Sequence, residues 1–204
     1  LGEDDSHEEF IRSKLDDEVK PIFFYKKNSR TLVKRRFVDA DLVKLFEVYM
    51  VDEEEVISSE LDEKLCAWLD SKLNDFDVVI IPDFGHGFIT DKMIQILVDK
   101  SKYMAVNTQI NSGNHGYHVI SRYSRADLVA LNEPELRLAT HNRYDSVETL
   151  AEKVGQEIKA KHISITRGTN GAIMLDRDNK KIHRSPVLSA KVIDRIGAGD
   201  AYLS

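Results

Sequence analysis

Cysteine is nearly absent: Cys66 is the one thiol in 204 residues, so no internal disulfide can form. It falls in an apolar helical pattern, where a small core residue is the simplest role, and the cytosol is the compartment that suits such cysteine usage. Positive charge is also in deficit. The chain has 35 acidic and 29 basic side chains and a net charge of −6, which argues against a nucleic-acid or membrane-surface partner. No apolar run is long enough to cross a bilayer. The opening stretch, residues 1–17, is acidic and has no basic segment followed by an apolar one, so no secretory signal is read there. Internal repeats and low-complexity linkers are missing as well.

What remains is the composition of a globular chain, with 42% hydrophobic and 31% charged residues and length enough for one substantial core. In the second half, short apolar runs alternate with helical periodicity. Val78-Val79-Ile80-Ile81 is a continuous apolar run, the pattern of a parallel strand buried on both faces. A helix around Ile94–Val98 follows, then strands at Met104–Val106 and Leu128–Leu131, a helix over Thr149–Ile158 and a strand at Ile163–Thr166. That order predicts an α/β fold with a mainly parallel sheet covered on both sides.

The first half reads differently. A helix is predicted over Ile11–Val19, and extended segments over Ile22–Tyr25, Thr31–Val38 and Leu45–Met50, with a turn at Lys27-Asn28-Ser29. Residues 22–50 therefore form a small sheet projecting from the main one. A helix over Ser59–Leu73 places Leu61, Leu65, Trp68 and Leu69 on one face, with Ser59 and Asp62 at capping-box spacing.

The most informative segment is Val192-Ile193-Asp194-Arg195-Ile196-Gly197-Ala198-Gly199-Asp200. A short apolar strand leads through Gly-Ala-Gly into a helix that starts at Asp200. Glycines allow a tight turn and close approach of a ligand to the amides. A helix N-terminus adds unpaired N–H groups and a positive dipole end, together an anion hole for a transferring phosphoryl group. A carboxylate there can take the proton of an attacking hydroxyl. Alone, the same residues fit a plain strand–helix turn with Asp200 as N-cap equally well.

Two upstream segments add weight. Asn132-Glu133-Pro134-Glu135 follows a strand, where α/β sheets bind ligands, and an amide and a carboxylate at that spacing can position a hydrated Mg²⁺. The same pair suits a helix cap with Glu135 at its third position. Thr166-Arg167-Gly168-Thr169-Asn170-Gly171 also follows a strand and suits a turn touching nucleotide phosphates, or a hairpin turn, or both.

Taken together, these segments resemble the ribokinase-type (PfkB) carbohydrate kinase family. Asn132-x-x-Glu135 is similar to its Asn-x-x-Glu motif, Thr166-Arg167-Gly168-x-x-Gly171 to its nucleotide-side turn, and Asp194-x-x-Gly197-Ala198-Gly199-Asp200 to its catalytic signature. The resemblance implies a three-layer ribokinase-like fold with a β lid over residues 22–50, and ATP and Mg²⁺ as cofactors. It implies Asp200 as base with Gly197, Ala198 and Gly199 as the anion hole, and Thr166, Gly168, Gly171 and Asp194 on the nucleotide side. It also implies Asn132 and Glu135 at the metal, and Asp83, in Pro82-Asp83-Phe84-Gly85-His86-Gly87, at the substrate. Within the family, Thr31-x-x-Lys34-x-Arg36 and Ile165-Thr166-Arg167 look like segments of the heptose 7-phosphate kinases of lipopolysaccharide-precursor synthesis. A basic pair, Lys34 and Arg36, suits a substrate that already carries a phosphate. The same two side chains fit a solvent-facing strand.

The chain also departs from the family pattern. Arg195-Ile196 stands where Thr residues are common, Asn107-Thr108-Gln109 where an Asp-Pro-Lys-like segment is usual, and His86 and Glu47 where the heptose kinases show Lys and Arg. Residues 1–204 read as one partial kinase domain, a fragment lacking the family's N-terminal sugar-binding strands and later adenine-pocket elements. The resemblance further implies a sugar or sugar-phosphate partner and a homodimer paired through the lid. The competing readings are a non-catalytic sugar or nucleotide sensor on the same fold, and a family kinase for a nucleoside or vitamin alcohol.

Overall fold

The computed structural model describes residues 1–40, 44–50, 57–111, 114, 116–187 and 198–203, with Asp200 described by its backbone alone. The chain divides into two compact units, Leu1–Ala67 and Trp68–Ser204.

The first unit opens with helix α1 (Glu8–Arg12). The helix predicted over Ile11–Val19 does not form. Ser13 hydrogen-bonds through its hydroxyl to the Phe10 carbonyl at 2.7 Å, and such local bonds compete with helix propagation. Ile22–Tyr25 is not a strand either. Its Phe24 carbonyl accepts from the Leu1 amine at 2.8 Å, and the isolated parallel bridges, Gly2 to Lys26 and Asp5 to Arg30, lie beyond it. Strands β1 (Val33–Val38) and β2 (Lys44–Met50) do form, close to the extended segments read from the sequence, and pair antiparallel. Their register sets Lys34 opposite Tyr49 and Arg36 opposite Glu47, and on the other face Val33 opposite Met50 and Phe37 opposite Phe46. The ribbon thus has a charged face and a mainly apolar face, on which Arg35 stands opposite Val48. On the latter the Phe37 and Phe46 rings stack at 4.4 Å. Helix α2 (Ser59–Lys72) buries Leu61 and Leu65. Its cap is Ser58, one residue earlier than read, whose hydroxyl accepts from the Leu61 amide at 3.3 Å. Cys66 is half-buried, with its thiol 3.6 Å from Asp62 Oδ1.

The second unit contains, in order, β3 (Val79–Asp83), α3 (Asp91–Lys100), β4 (Met104–Thr108), β5 (Leu128–Asn132), α4 (Glu133–Ala139), α5 (Val147–Glu157), β6 (His162–Thr166), β7 (Ala172–Asp176), β8 (Lys181–Ser185) and α6 (Ala198–Leu203). One six-stranded sheet runs β3-β4-β5-β6-β7-β8. Strands β3 to β6 are mutually parallel, and β7 and β8 are antiparallel additions. The sheet is mainly parallel, as the alternating pattern requires. Met104, Val106, Val129, Ile163 and Ile165 are buried on one face of β4, β5 and β6, and Ala105, Ala130 and Ser164 on the other. Each of the larger apolar side chains contributes about 1.5–3 kcal/mol by leaving water. Helix α5 covers the sheet with Val147, Leu150, Ala151 and Val154, spaced to lie on one helical face.

Strand β3 departs from the sequence reading. Its apolar run is not buried on both faces: Ile81 is buried, while Ile80 is 47% exposed. Among the described residues β3 ends the sheet, and Val78 and Ile80 share an exposed face while Ile81 on the other is buried.

Asp127, 1% exposed, anchors the starts of the central strands. Its Oδ2 accepts from the Met104 amide at 2.9 Å and from Arg125 at 2.7 Å, and its Oδ1 lies 2.8 Å from Lys161 Nζ. Its backbone N–H donates to the Met104 carbonyl and its carbonyl accepts from the His162 amide. Burial pushes the carboxyl up, but Lys161, the Met104 amide and Arg125 outweigh it and hold the carboxyl below its ordinary value. A depressed carboxyl stabilises the fold above its unfolded pKa of about 3.9 and loses that contribution as pH falls through the folded value. Asp127→Asn is expected to cost about 2–3 kcal/mol near neutral pH, because one acceptor becomes a donor beside bound donors. Thermal unfolding should show the gap between variant and wild type narrowing below about pH 4.

Candidate active site

Because β3, β4, β5 and β6 are parallel, their C-terminal ends form one crest. The register aligns Asp83 with Thr108 and Asn132 with Thr166. A crest of this kind is where open α/β sheets receive ligands.

Helix α4 begins directly after β5. Asn132 caps it, accepting from the Glu135 amide through Oδ1 at 2.8 Å, while Glu135 Oε2 accepts from the Asn132 amide at 2.9 Å. Glu135 is buried, and its Oε1 lies 3.4 Å from the Ile110 amide, tying the loop after β4 to α4. Both residues are thus part of a capping box. Asn132 itself remains exposed at the crest. Among the described residues no group of three His, Cys, Asp or Glu side chains is clustered to hold a metal directly. The pair fits a hydrated Mg²⁺, which keeps several of its waters, better than direct ligation. Glu133, not singled out from the sequence, sits between two guanidiniums: Oε1 is 2.7 Å from Arg137 and Oε2 is 3.1 Å from Arg167. The hydrogen bond from Arg137 is the chief cause that holds its carboxyl low, with Arg167 adding to it against burial.

The turn after β6 joins it to β7 as a hairpin. Thr166 ends the strand, Arg167 donates its amide to the Gly171 carbonyl at 2.8 Å, and residues 168–170 make one tight helical turn. The two glycines differ. A Cβ on Gly171 would stand 2.1 Å from the Ser185 carbonyl oxygen, so Gly171 is required by the close pass of β8. Gly168 has φ +56° and nothing within 4 Å of its Cβ position, which leaves open space on that side.

Asp83, which the resemblance puts at the substrate, is buried, and protein groups meet both its oxygens. Oδ2 accepts from the Tyr123 hydroxyl at 2.8 Å and lies 3.5 Å from Arg122. Oδ1 accepts from the Gly85 amide at 3.2 Å and lies 2.9 Å from His118 Nε2. Arginine can only donate, so Arg122 Nη1, 3.1 Å from His118 Nδ1, makes that nitrogen the acceptor, while Nε2 stands close to Asp83 without hydrogen-bond alignment. Burial pushes the Asp83 carboxyl up, but His118, Tyr123 and the Gly85 amide together hold it low. Burial and the Asp83 charge push the Tyr123 phenol well up. Asp83 as found braces the turn that follows β3 through the Gly85 amide. Asn111 secures the same turn, donating from Nδ2 to the Phe84 carbonyl at 2.7 Å. None of these partners carries a local sequence signal, since Tyr123 is 40 residues from Asp83.

Helix α6 starts at Ala198, two residues before the start read from the sequence. Ala198 and Gly199 thus belong to its first turn, and Asp200 lies within the helix instead of capping it. Gly197 and Asp194 lie outside the described residues, as does the short strand expected before them. Tyr202 fixes α6 to the sheet: its hydroxyl is 2.6 Å from Ser164 Oγ on β6. Lys34 and Arg36 lie on the charged face of the β1–β2 ribbon, each within 4 Å of Glu47.

Three comparisons bear on this arrangement. The family described as pfkB family carbohydrate kinase matches residues 4–204. The bifunctional protein HldE of Campylobacter jejuni subsp. doylei is 25% identical over 100% of the chain, and that of Wolinella succinogenes is 28% identical over 72% of it. The chain spans only 42% and 31% of their respective lengths. Among solved structures, phosphofructokinase-2 from Escherichia coli, in complex with potassium, superposes with a TM-score of 0.70 at 18% identity, covering 97% of this chain and 64% of that one. The Burkholderia thailandensis nucleoside kinase, in complex with inosine, gives 0.64 at 18% identity, with coverages of 99% and 61%. At these identities the structural likeness speaks for the fold.

Proposed function

Since the chain belongs to the pfkB family of carbohydrate kinases, we propose that the protein transfers the γ-phosphoryl group of ATP to a hydroxyl of a sugar or sugar phosphate. Asp200 is the base that takes the hydroxyl proton. The amides of Gly197, Ala198 and Gly199 hold the transferring group at the start of α6, where unpaired N–H groups and the helix dipole favour an anion. The observation that carries this reading is the position of α6: Ala198, Gly199 and Asp200 form its first residues, and Tyr202 fixes it to β6, the strand that opens into the Thr166–Gly171 turn.

In this reading both units serve one kinase domain. Thr166, Gly168 and Asp194 face the nucleotide, and Gly171 holds the turn closed behind them. Asn132 and Glu135 hold hydrated Mg²⁺, which supplies neutralising charge for the phosphates when bound. Asp83 acts on the acceptor indirectly, through the turn that it braces, and Lys34 and Arg36 act from the ribbon as a lid. Heptose 7-phosphate belongs in the acceptor panel beside unphosphorylated sugars, because HldE proteins are among the relatives and the Thr31-x-x-Lys34-x-Arg36 segment resembles heptose kinases. Cytoplasmic action agrees with the single cysteine. A second reading, a sensor that binds without transfer, draws on Asn107, which donates to the Ala130 carbonyl at 2.8 Å where the family usually supplies charge.

The apolar face of the ribbon fits a second copy of the chain. Phe37, Phe46, Val48 and Met50 are exposed on it, and a two-stranded ribbon is marginal alone. Sedimentation velocity is expected to show a dimer that Phe46→Asp dissociates. A wild-type monomer would remove this part of the reading.

ATP turnover across a panel of free and phosphorylated sugars tests the activity. Asp200→Asn should lower kcat by about 10²–10⁴-fold, with KM much less affected. Near-normal turnover in that variant would remove Asp200 as the base.

A further inference from the structure

The charged face of the β1–β2 ribbon contains a group that the kinase reading leaves unused. Glu47 Oε2 lies 3.2 Å from Arg36 Nε and 3.4 Å from Lys44 Nζ. Its Oε1 lies 3.6 Å from Lys34 Nζ and accepts from the Tyr49 hydroxyl at 3.2 Å. The Lys34 ammonium also stands 4.6 Å over the Tyr49 ring. The Glu47 side chain is 17% exposed, less than the 31%, 32% and 52% of Lys34, Arg36 and Lys44. Three cations thus converge on one place, and a carboxylate already fills it. Burial pushes that carboxyl up, but the Lys34 charge, the Tyr49 hydroxyl and Lys44 hold it below its ordinary value, so it is an anion at neutral pH.

A carboxylate and a phosphate compete for the same donors, because both offer paired anionic oxygens to guanidinium and ammonium groups. A phosphate brought to these cations meets the Glu47 charge at close range and is repelled. A neutral sugar hydroxyl is not. It can donate to Glu47 and accept from Arg36 or a lysine in the same position.

We propose that Glu47 is a specificity-determining residue: it fills the anion position among Lys34, Arg36 and Lys44, and so selects an acceptor that presents hydroxyls there over one that presents a phosphate. Calling the ligand an acceptor rests on the kinase reading above, whereas the competition between Glu47 and an outside anion does not.

The test has two arms on the intact protein. In the first, inorganic phosphate is titrated calorimetrically onto wild type and Glu47→Gln. The variant is expected to bind it about three- to tenfold tighter, the scale of losing partly exposed ion pairs. Adding Arg36→Gln to that variant should abolish the gain. In the second, KM is measured for one sugar and for its phosphate ester. Glu47→Gln should shift the KM ratio toward the ester by the same factor. If Glu47→Gln loses its native circular dichroism, Glu47→Asp takes its place, which draws the carboxylate back and should give a smaller gain of the same sign. Unchanged phosphate affinity in a folded variant overturns the proposal, as does a wild-type preference for the ester that the variant does not increase. Absence of turnover on every sugar overturns the kinase reading instead, and the phosphate titration then decides on Glu47.

Discussion

Parallel strands hold a ligand crest only if their starts are held in register, and in this chain one buried carboxylate at the foot of the sheet does that. Asp127 accepts from the first amide of β4, stands just before β5, and gives its carbonyl to the first amide of β6. Arg125 and Lys161 neutralise it from outside. A one-residue slip of any of these strands would turn its inward residues outward. It would also move Asn132 off Thr166 at the opposite end. The alignment of the crest is therefore set at the foot of the sheet, some distance from any ligand.

At the crest itself, most of the acidic residues brace the structure. Asp83 holds the turn after β3, Glu135 closes the cap of α4 and reaches the loop after β4, and Glu133 joins α4 to the hairpin turn through Arg167. The donors around Asp83 and Glu133 hold those two carboxyls below their ordinary values. Such bracing has a consequence for the chemistry proposed: groups bound to it rest on a frame with little freedom to relax, as preorganised stabilisation of a phosphoryl group requires. The ribbon repeats the theme in the first unit, where Glu47 gathers three cations.

The parts legible in the sequence were those fixed by neighbours along the chain. The apolar runs of β4 and β5 identify strands because burial on both faces demands them, β6 is legible from its alternating isoleucines, and the Asn132–Glu135 box follows from a spacing of three residues. The parts that escaped depend on distant partners. The run at Val78–Ile81 has the same composition as a central strand, yet Val78 and Ile80 lie on an exposed face while Ile81 is buried. Ile22–Tyr25 has strand-forming residues but joins no strand of the described residues. The partners of Asp83 include Tyr123, His118 and Arg122, which arrive from far along the chain. Glu47 reads as a surface acid until the register of β1 and β2 sets it opposite Arg36. The start of α6 at Ala198 is a boundary shift of the ordinary size.

The proposed chemistry requires nucleotide to engage the crest through two backbone segments, the turn after β6 and the first turn of α6. Amide hydrogen exchange on the protein with and without MgATP measures this directly. Slower exchange over residues 166–171 and 198–203 on addition of nucleotide is the expected result. Unchanged exchange in both segments, with ATP bound as judged by calorimetry, would contradict it.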